Sequence, residues 1–225
     1  MLVERSMHPD WLSNAYAIAD REGGVAVFVD SGADIAPLVA AVARWGAQPV
    51  ALLRTHAHGD HVEHEDELAS RYSIPVVAEP GEWEWEGLKV RGLATPGHSD
   101  DGLAFVINDE VVATGDTLFL DAVGGGDVDA VRRSVMDVLL ALSDSTRVLP
   151  GHTDETTIGR EREQNPFVLV WSGAENEGTE RVRVGGRDAT LVVWSPDYDG
   201  KGKAWVRYDD GSEATVGGSR VERSA

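Results

Sequence analysis

Cysteine is absent from the 225 residues, which excludes a disulfide scaffold, thiolate metal ligands and a cysteine nucleophile. No apolar run approaches the roughly 20 residues that span a bilayer. The segment Met1-Leu2-Val3-Glu4-Arg5 offers neither the basic n-region nor the apolar h-region of an export signal. The sequence therefore predicts a cytoplasmic protein with no membrane partner. Lysine is scarce, three among twenty basic residues, and the formal net charge is −19. So acidic a surface repels phosphate backbones and argues against nucleic-acid partners. It attracts divalent cations, although a diffuse field does not by itself make a specific site. What remains, 225 residues of which 42% are hydrophobic, suffices for one sizeable core with a small appendage, or for two modest domains.

Seven histidines are present, and three of them fall within Thr55-His56-Ala57-His58-Gly59-Asp60-His61. The apolar run Val50-Ala51-Leu52-Leu53 leads into this stretch, and a helix-like pattern over 62–72 follows. The cluster is thus expected on a strand-to-helix loop, where rigid flanking backbone lets polar side chains converge. Neutral imidazole is the commonest metal ligand, and carboxylate oxygen suits the same divalent ions. His56 and His58 are spaced to grip one ion while Asp60 and His61 turn towards a second.

Along the chain, strands are expected over 15–19 and 25–30 around the turn Arg21-Glu22-Gly23-Gly24. An amphipathic helix over 34–45 stops at Gly46. A short strand covers 74–78, and the alternating Glu82-Trp83-Glu84-Trp85-Glu86 suits an exposed strand whose tryptophans pack. Further strands are expected over 88–94, 103–107, 111–114 and 147–149. Helical periodicity runs over 127–142, with Val128, Val131, Val135, Val138 and Leu142 along one face. A last helix over 156–164 is stopped by Asn165-Pro166. Beyond it the pattern turns all-β, with strands over 181–184, 190–194, 203–208 and 219–221. His56, His98, Asp116 and His152 each stand just past the last apolar residues of an expected strand. Strand ends on one edge of a sheet face one crevice, so these distant residues are expected to share a site.

Taken together, His56-Ala57-His58-Gly59-Asp60-His61, Gly97-His98, Gly115-Asp116 and Gly151-His152 resemble the metal-binding signature of the metallo-β-lactamase superfamily, in that family's order. Thr95-Pro96-Gly97-His98-Ser99, Thr114-Gly115-Asp116-Thr117-Leu118-Phe119 and Asn165-Pro166-Phe167 are most similar to its glyoxalase II-like hydrolase branch. The resemblance implies an α/β fold, a four-layer αββα sandwich over residues 1–172, here followed by a small β-rich unit over 173–225. Trp205-Val206-Arg207-Tyr208-Asp209-Asp210-Gly211 in that unit faintly resembles SH3-like barrels. It also implies two divalent ions, zinc first and iron or manganese as alternatives. His56, His58 and His98 would hold one, Asp60, His61 and His152 the other, and Asp116 would bridge them. A hydroxide between such ions attacks an acyl carbon, which implies hydrolysis of a thioester or a similar small acyl ester. Asp60 would orient the nucleophile and accept its proton. Thr55, Asp30 and Thr114 are candidates for holding imidazole tautomers by hydrogen bonds. His64 is expected to be solvated or to support a ligand from behind, and His8 to lie at the exposed surface or the rim.

The departures from the family carry information. Without cysteine the chain lacks the bridging thiolate of one class of true β-lactamases, which argues against antibiotic hydrolysis. Gly124-Gly125-Gly126 stands where related enzymes have Gly-Arg, and the tail is β rather than helical; both argue against glutathione as carrier. Two rivals share the signature. A persulfide dioxygenase would use one iron on His56, His98 and Asp116, a two-histidine, one-carboxylate triad open to O2. A lactonase or phosphodiesterase would use the same metal pair.

Overall fold

The computed structural model describes residues 1–223. Two sheets form the body. The first contains β1 (Leu2–Met7), β2 (Asn14–Ala19), β3 (Val25–Val29), β4 (Gln48–Leu53) and β5 (Val76–Val77), in that order. The second contains β6 (Gly81–Trp85), β7 (Leu88–Ala94), β8 (Leu103–Ile107) and β9 (Val111–Gly115). A small hairpin, β10 (Leu118–Phe119) with β11 (Ala122–Val123), intervenes before β12 (Arg147–Pro150) and β13 (Thr156–Thr157) complete the second sheet in the order β13-β12-β9-β8-β7-β6.

Alternation along the strands builds the layers. Tyr16, Ile18, Val27, Val29, Ala51 and Leu53 point inward and meet Leu88, Val90, Phe105, Ile107, Ala113 and Leu149 of the second sheet. Their neighbours Ala17, Phe28 and Leu52 point outward, under α1 (Ala36–Trp45) and the helices that follow β4. On the far side Ala104, Val106, Val112 and Val148 face outward against Val131, Val135, Leu139, Ile158 and Phe167. Strands buried on both faces read as continuous apolar runs, as in β3 and β8. Each such Phe or Ile contributes roughly 1.5–3 kcal/mol relative to exposure. The result is helices, sheet, sheet, helices: the four-layer α/β sandwich.

Several elements differ from the sequence pattern. Helix 62–72 is two pieces, α2 (Gly59–Val62) and α3 (Glu65–Tyr72), because His64 N–H donates to Ser31 O (3.0 Å) and interrupts the turn. The helix expected over 127–142 is α only from Val128 to Arg133 (α4). A π turn over Ser134–Val138, in which Leu139 N–H reaches back to Ser134 O, then leads to a 3-10 turn over Leu139–Ala141. Val131, Val135 and Leu139 are four apart, a longer period than an α-helix keeps on one face, and the wider turn absorbs the drift. Leu139 therefore takes the buried place that the pattern gave to Val138. Asn165-Pro166 ends α5 (Ile158–Gln164) but also starts α6 (Pro166–Trp171), since Asn165 Oδ1 accepts from Phe167 N–H (3.0 Å) and proline is tolerated at N1. Strand β1 had no clear sequence signal because its residues are half exposed.

Beyond α6, five strands form one antiparallel sheet: β14 (Glu180–Val184), β15 (Arg187–Ser195), β16 (Lys203–Tyr208), β17 (Glu213–Gly217) and β18 (Val221–Arg223), in the order β17-β16-β15-β14-β18. The expected strand over 219–221 is thus a 3-10 turn running into β18, and β17 was not foreseen. Val182, Val184, Ala189, Leu191, Val206 and Val216 pack among themselves. A register shift between Leu191 and Val193 turns Val192 and Val193, with Trp205, the other way onto Phe167 and Trp171. The sheet is therefore anchored to the helical layer by a continuous apolar contact. Among the described residues no helix is long and apolar enough to cross a membrane.

Candidate metal centre

Parallel pairing of β3 with β4 and of β9 with β12 aligns their carboxyl ends. From those ends, and from the end of β7, seven side chains converge: His56, His58, Asp60, His61, His98, Asp116 and His152. Their ligating atoms form three overlapping groups: His56, His58, His98; His56, His61, Asp116; and Asp60, His61, His152. Backbone geometry makes the approach possible. Gly115 adopts φ +48°, and a Cβ there would press on Thr55 Oγ1 at 2.6 Å. Gly151 has no room for a side chain either, since a Cβ would lie 2.8 Å from His61 Cε1 and on Asp116 Oδ1.

Four imidazoles have their outer nitrogen tied to an oxygen. His61 Nδ1–H donates to Asp30 Oδ2 (2.9 Å), His98 Nδ1–H to Gly125 O (2.8 Å) and His152 Nδ1–H to Leu12 O (3.0 Å). Thr55 Oγ–H donates to Asp30 Oδ2 (2.8 Å), so its oxygen is left to accept from His56 Nδ1–H (3.1 Å). Each of these bonds turns Nε2 inward as a lone pair. Inside, His98 Nε2 and His58 Nδ1 are 3.0 Å apart. Asp116 Oδ1 is 3.4 Å from His61 Nε2, and Oδ2 is 3.4 Å and 3.5 Å from the Nε2 atoms of His152 and His98. Asp60 Oδ2 stands 3.5 Å from His152 Nε2 and 3.6 Å from His61 Nε2.

His56 Nε2, His61 Nε2 and Asp116 Oδ1 are buried with no hydrogen-bond partner. An unsatisfied buried polar atom costs about 1–3 kcal/mol, and with both imidazoles neutral these are three acceptors aimed at one another, with no remedy among themselves. A cation is the remedy, and an imidazole and carboxylate set is the right chemistry for a divalent one. The residues fit divalent metal ions.

The electrostatics agree. Burial, with His61 beside it, lowers the His56 pKa to about 4, and burial likewise lowers that of His98. Burial opposes charge on His152, but Asp116 and Asp60 outweigh it and push the pKa up to about 9; on His61, Asp116 and Asp30 outweigh burial in the same way. Burial alone would raise the pKa of Asp116, yet His152 and His61 hold it well below the usual carboxylate range. Asp60 is lowered too, against burial, by His152 and His61. Protons on His61 and His152 thus occupy the place that metal ions would take, and metal binding should release them.

A pH prediction follows for chelator-treated protein. His56, with a folded pKa of about 4, favours the folded state increasingly as pH rises from about 4 to 6.5, and His98, lowered as well, acts in the same direction. His152, raised to about 9 in the folded state, contributes stability that is complete below 6.5 and is lost as pH rises through about 9, and His61, raised as well, acts in the same direction. Thermal unfolding of chelator-treated protein should therefore peak near pH 6.5 and fall towards pH 9.5. Metal-loaded protein should keep its midpoint across that alkaline range. Parallel curves with and without chelator would refute this account.

The other sequence candidates separate cleanly. Asp30, in the left-handed region at φ 54°, also accepts from Thr55 N–H (2.8 Å), so Asp30 and Thr55 do orient His56 and His61. Thr114 does not hold an imidazole by a hydrogen bond: its hydroxyl donates to Leu118 O (2.8 Å). His64 lies outside the cluster beside Glu63 and Glu67. His8 stacks on Trp11 (centroids 4.5 Å) and accepts from two backbone N–H groups, which pins the loop before β2. Sequence reasoning missed the Leu12 and Gly125 carbonyls and Tyr198. The Tyr198 ring, from the β15–β16 loop, lies flat on His152 (centroids 4.1 Å, 11° between planes). Burial, then the Asp116 charge, raises its phenol pKa, so it is a neutral hydroxyl. Thr215 of β17 bridges to Gly126, beside the carbonyl that holds His98.

No protein-family profile matches the chain, but relatives and solved structures do. The hydroxyacylglutathione hydrolase GloC of Haemophilus influenzae is 30% identical, over 69% of this chain and 92% of its own length. The crystal structure of BLEG-1 B3 metallo-β-lactamase superposes with TM-score 0.68 at 25% identity, covering 74% of this chain and 99% of that one. TTHA1623, solved in a di-iron-bound form, is 31% identical with TM-score 0.59, covering 72% of this chain and 98% of its own. About a quarter of this chain therefore has no counterpart in either structure. Fold, site and relatives agree: the chain belongs to the metallo-β-lactamase superfamily, within reach of its glyoxalase II-like metallohydrolases.

Proposed function

We propose that the protein is a binuclear metallohydrolase that cleaves a thioester or a similar small acyl ester. One observation carries the reading: buried, partnerless polar atoms of His56, His61 and Asp116 converge where the outer nitrogen of each imidazole is already tied to an oxygen. His56, His58 and His98 would hold one ion and Asp60, His61 and His152 the other, with an oxygen of Asp116 towards each. Zinc suits this neutral-imidazole and carboxylate set, and iron is the alternative that the di-iron relative brings forward. Bound there, such ions lower the pKa of a water and polarise an acyl oxygen.

The chain's own residues do the rest. Asp60 is the more exposed of the two clustered carboxylates, its side chain 27% exposed against 10% for Asp116, and His152 and His61 keep it anionic despite partial burial. It is placed to orient an attacking water and accept its proton. The hydrogen bonds from Asp30, Thr55, Leu12 and Gly125 fix the imidazoles before substrate arrives, so little reorganisation is needed during reaction. Thioester cleavage is favoured over other hydrolyses because GloC, named for a hydroxyacylglutathione, is a relative at 30% identity.

The test is a panel of thioesters, lactones and phosphodiesters run on protein of measured metal content. We expect two ions per chain, with thioesters turned over fastest. One iron per chain, with oxygen uptake on a persulfide and no thioester hydrolysis, would replace this reading by the dioxygenase. Dominant lactone or phosphodiester turnover would retain the ion pair and change the substrate.

A further inference from the structure

A cavity of about 330 Å3 opens beside His152, within the size range of small-molecule sites. Its apolar walls are Met7, Leu12, Leu120, Pro196 and Tyr198. None of the seven clustered residues lines it, yet three of its walls reach His152. Tyr198 stacks on the ring, Leu12 O accepts from Nδ1–H, and Thr153 is the next residue in the chain. Leu12, Asp121 and Thr153 hold left-handed backbone at φ 58°, 62° and 70°. Strained non-glycine backbone concentrates at ligand-binding sites, and here three lining residues share it.

The C-terminal wall is fixed in place. Asp197 and Lys203 form an ion pair (3.0 Å) whose side chains are 3% and 10% exposed. Ser195 Oγ–H donates to Asp121 O, tying the strand before Pro196 to the opposite wall. The charges are arranged with equal economy. Three acids line the cavity, each paired with a cation that does not itself line it: Asp121 with Arg160, Asp154 with Arg5, Asp197 with Lys203. Among the described residues no lysine or arginine lines it. An anionic arm would meet carboxylates there without a cation to receive it, whereas an uncharged carbon chain meets apolar surface.

We propose that this cavity receives an uncharged, apolar arm of the substrate, and that its acids discriminate against anionic arms. The proposal rests on the hydrolase reading above. It makes the C-terminal sheet part of the substrate site. The arm belongs to either the acyl or the thiol side, and two substrate series on the metal-loaded full chain separate these. In one, the acyl group lengthens from acetyl to hexanoyl on N-acetylcysteamine; in the other, acetyl is fixed and an alkyl thiol lengthens.

One series should gain roughly three- to fourfold in kcat/KM per methylene, the scale of burying a CH2. A terminal carboxylate in place of the end methyl should lose at least about tenfold. Direct binding of a non-hydrolysable probe, the S-hexyl thioether of N-acetylcysteamine, gives a readout independent of turnover. Met7 is 49% exposed, so Met7→Glu leaves the core intact; it should weaken that binding at least about tenfold. Val76→Glu, on the far edge strand, should not change it. Flat series on both arms, unchanged binding in Met7→Glu, or tighter binding of a carboxylate-tailed probe would each overturn the proposal. Binding lost in Met7→Glu without any thioester hydrolysis would support the cavity and remove the hydrolase reading instead.

Discussion

Replacing Asp116 by alanine is expected to cost the centre at least one ion and to lower turnover at least about a hundredfold, the scale of removing a main electrostatic contributor. The reason is positional. Asp116 Oδ1 faces His61 (3.4 Å) and Oδ2 faces both His98 and His152 (3.5 and 3.4 Å), so one carboxylate addresses both histidine groups. Asp60, the other clustered acid, faces only His61 and His152. In the alanine variant a negative charge is lost between groups that would carry two cations, and His61 and His152 lose the partner that holds their pKa values up. Metal analysis beside thioester hydrolysis reads both effects. His64→Ala, one turn beyond the cluster, should keep the parental metal content. An Asp116→Ala protein with two ions and parental turnover would refute the binuclear mechanism while leaving the fold untouched.

The meeting of His56, His98, Asp116 and His152 was readable because metal ligation demands rare residue types, and each stands just after an apolar run. The sandwich was readable in its elements, since runs such as Val25–Val29 and Leu103–Ile107 are buried on both faces. Its layering came from the family resemblance, because periodicity does not tell one doubly buried strand from another. What stayed hidden shares a physical character. The groups that orient His152 and His98 are the carbonyls of Leu12 and Gly125, and every residue has a carbonyl, so no side chain announces them. Leu12 is placed by φ 58°, a conformation its identity does not suggest. Tyr198 reaches His152 from a loop in a different sheet, through a fold-level contact with no local pattern. The π turn over Ser134–Val138 left a trace, the spacing of four between Val131, Val135 and Leu139, which an α-helical reading smooths over.

Asp30 offers a sharper test than any ligand, because it touches no reacting atom and its amide is the same shape. Its carboxylate is 3% exposed and accepts three hydrogen bonds: Thr55 N–H and Thr55 Oγ–H at 2.8 Å, and His61 Nδ1–H at 2.9 Å. In Asp30→Asn one amide oxygen can keep Thr55 N–H, so the turn after β3 and the fold should survive. The amide NH2 then confronts His61 Nδ1 and Thr55 Oγ1, where a carboxylate oxygen accepted two protons. To escape a donor–donor clash, His61 must carry its proton on Nε2, the nitrogen that faces Asp116. Thr55 must likewise accept rather than donate at that contact, which turns its hydroxyl proton towards His56 Nδ1 and drives that ring to the same tautomer. Both imidazoles would then present N–H where a metal ion needs a lone pair. Metal affinity should fall by about 10- to 100-fold, the usual cost of losing such an orienting partner, with turnover restored at high metal concentration. Asp30→Ala should lose affinity as well, but with lowered thermal stability, because Thr55 N–H is then buried without an acceptor. Titration of both variants with zinc, alongside their unfolding curves, separates the tautomer effect from simple damage. If Asp30→Asn bound metal as the parent does, the hydrogen-bond polarity argued for His56 and His61 would be wrong.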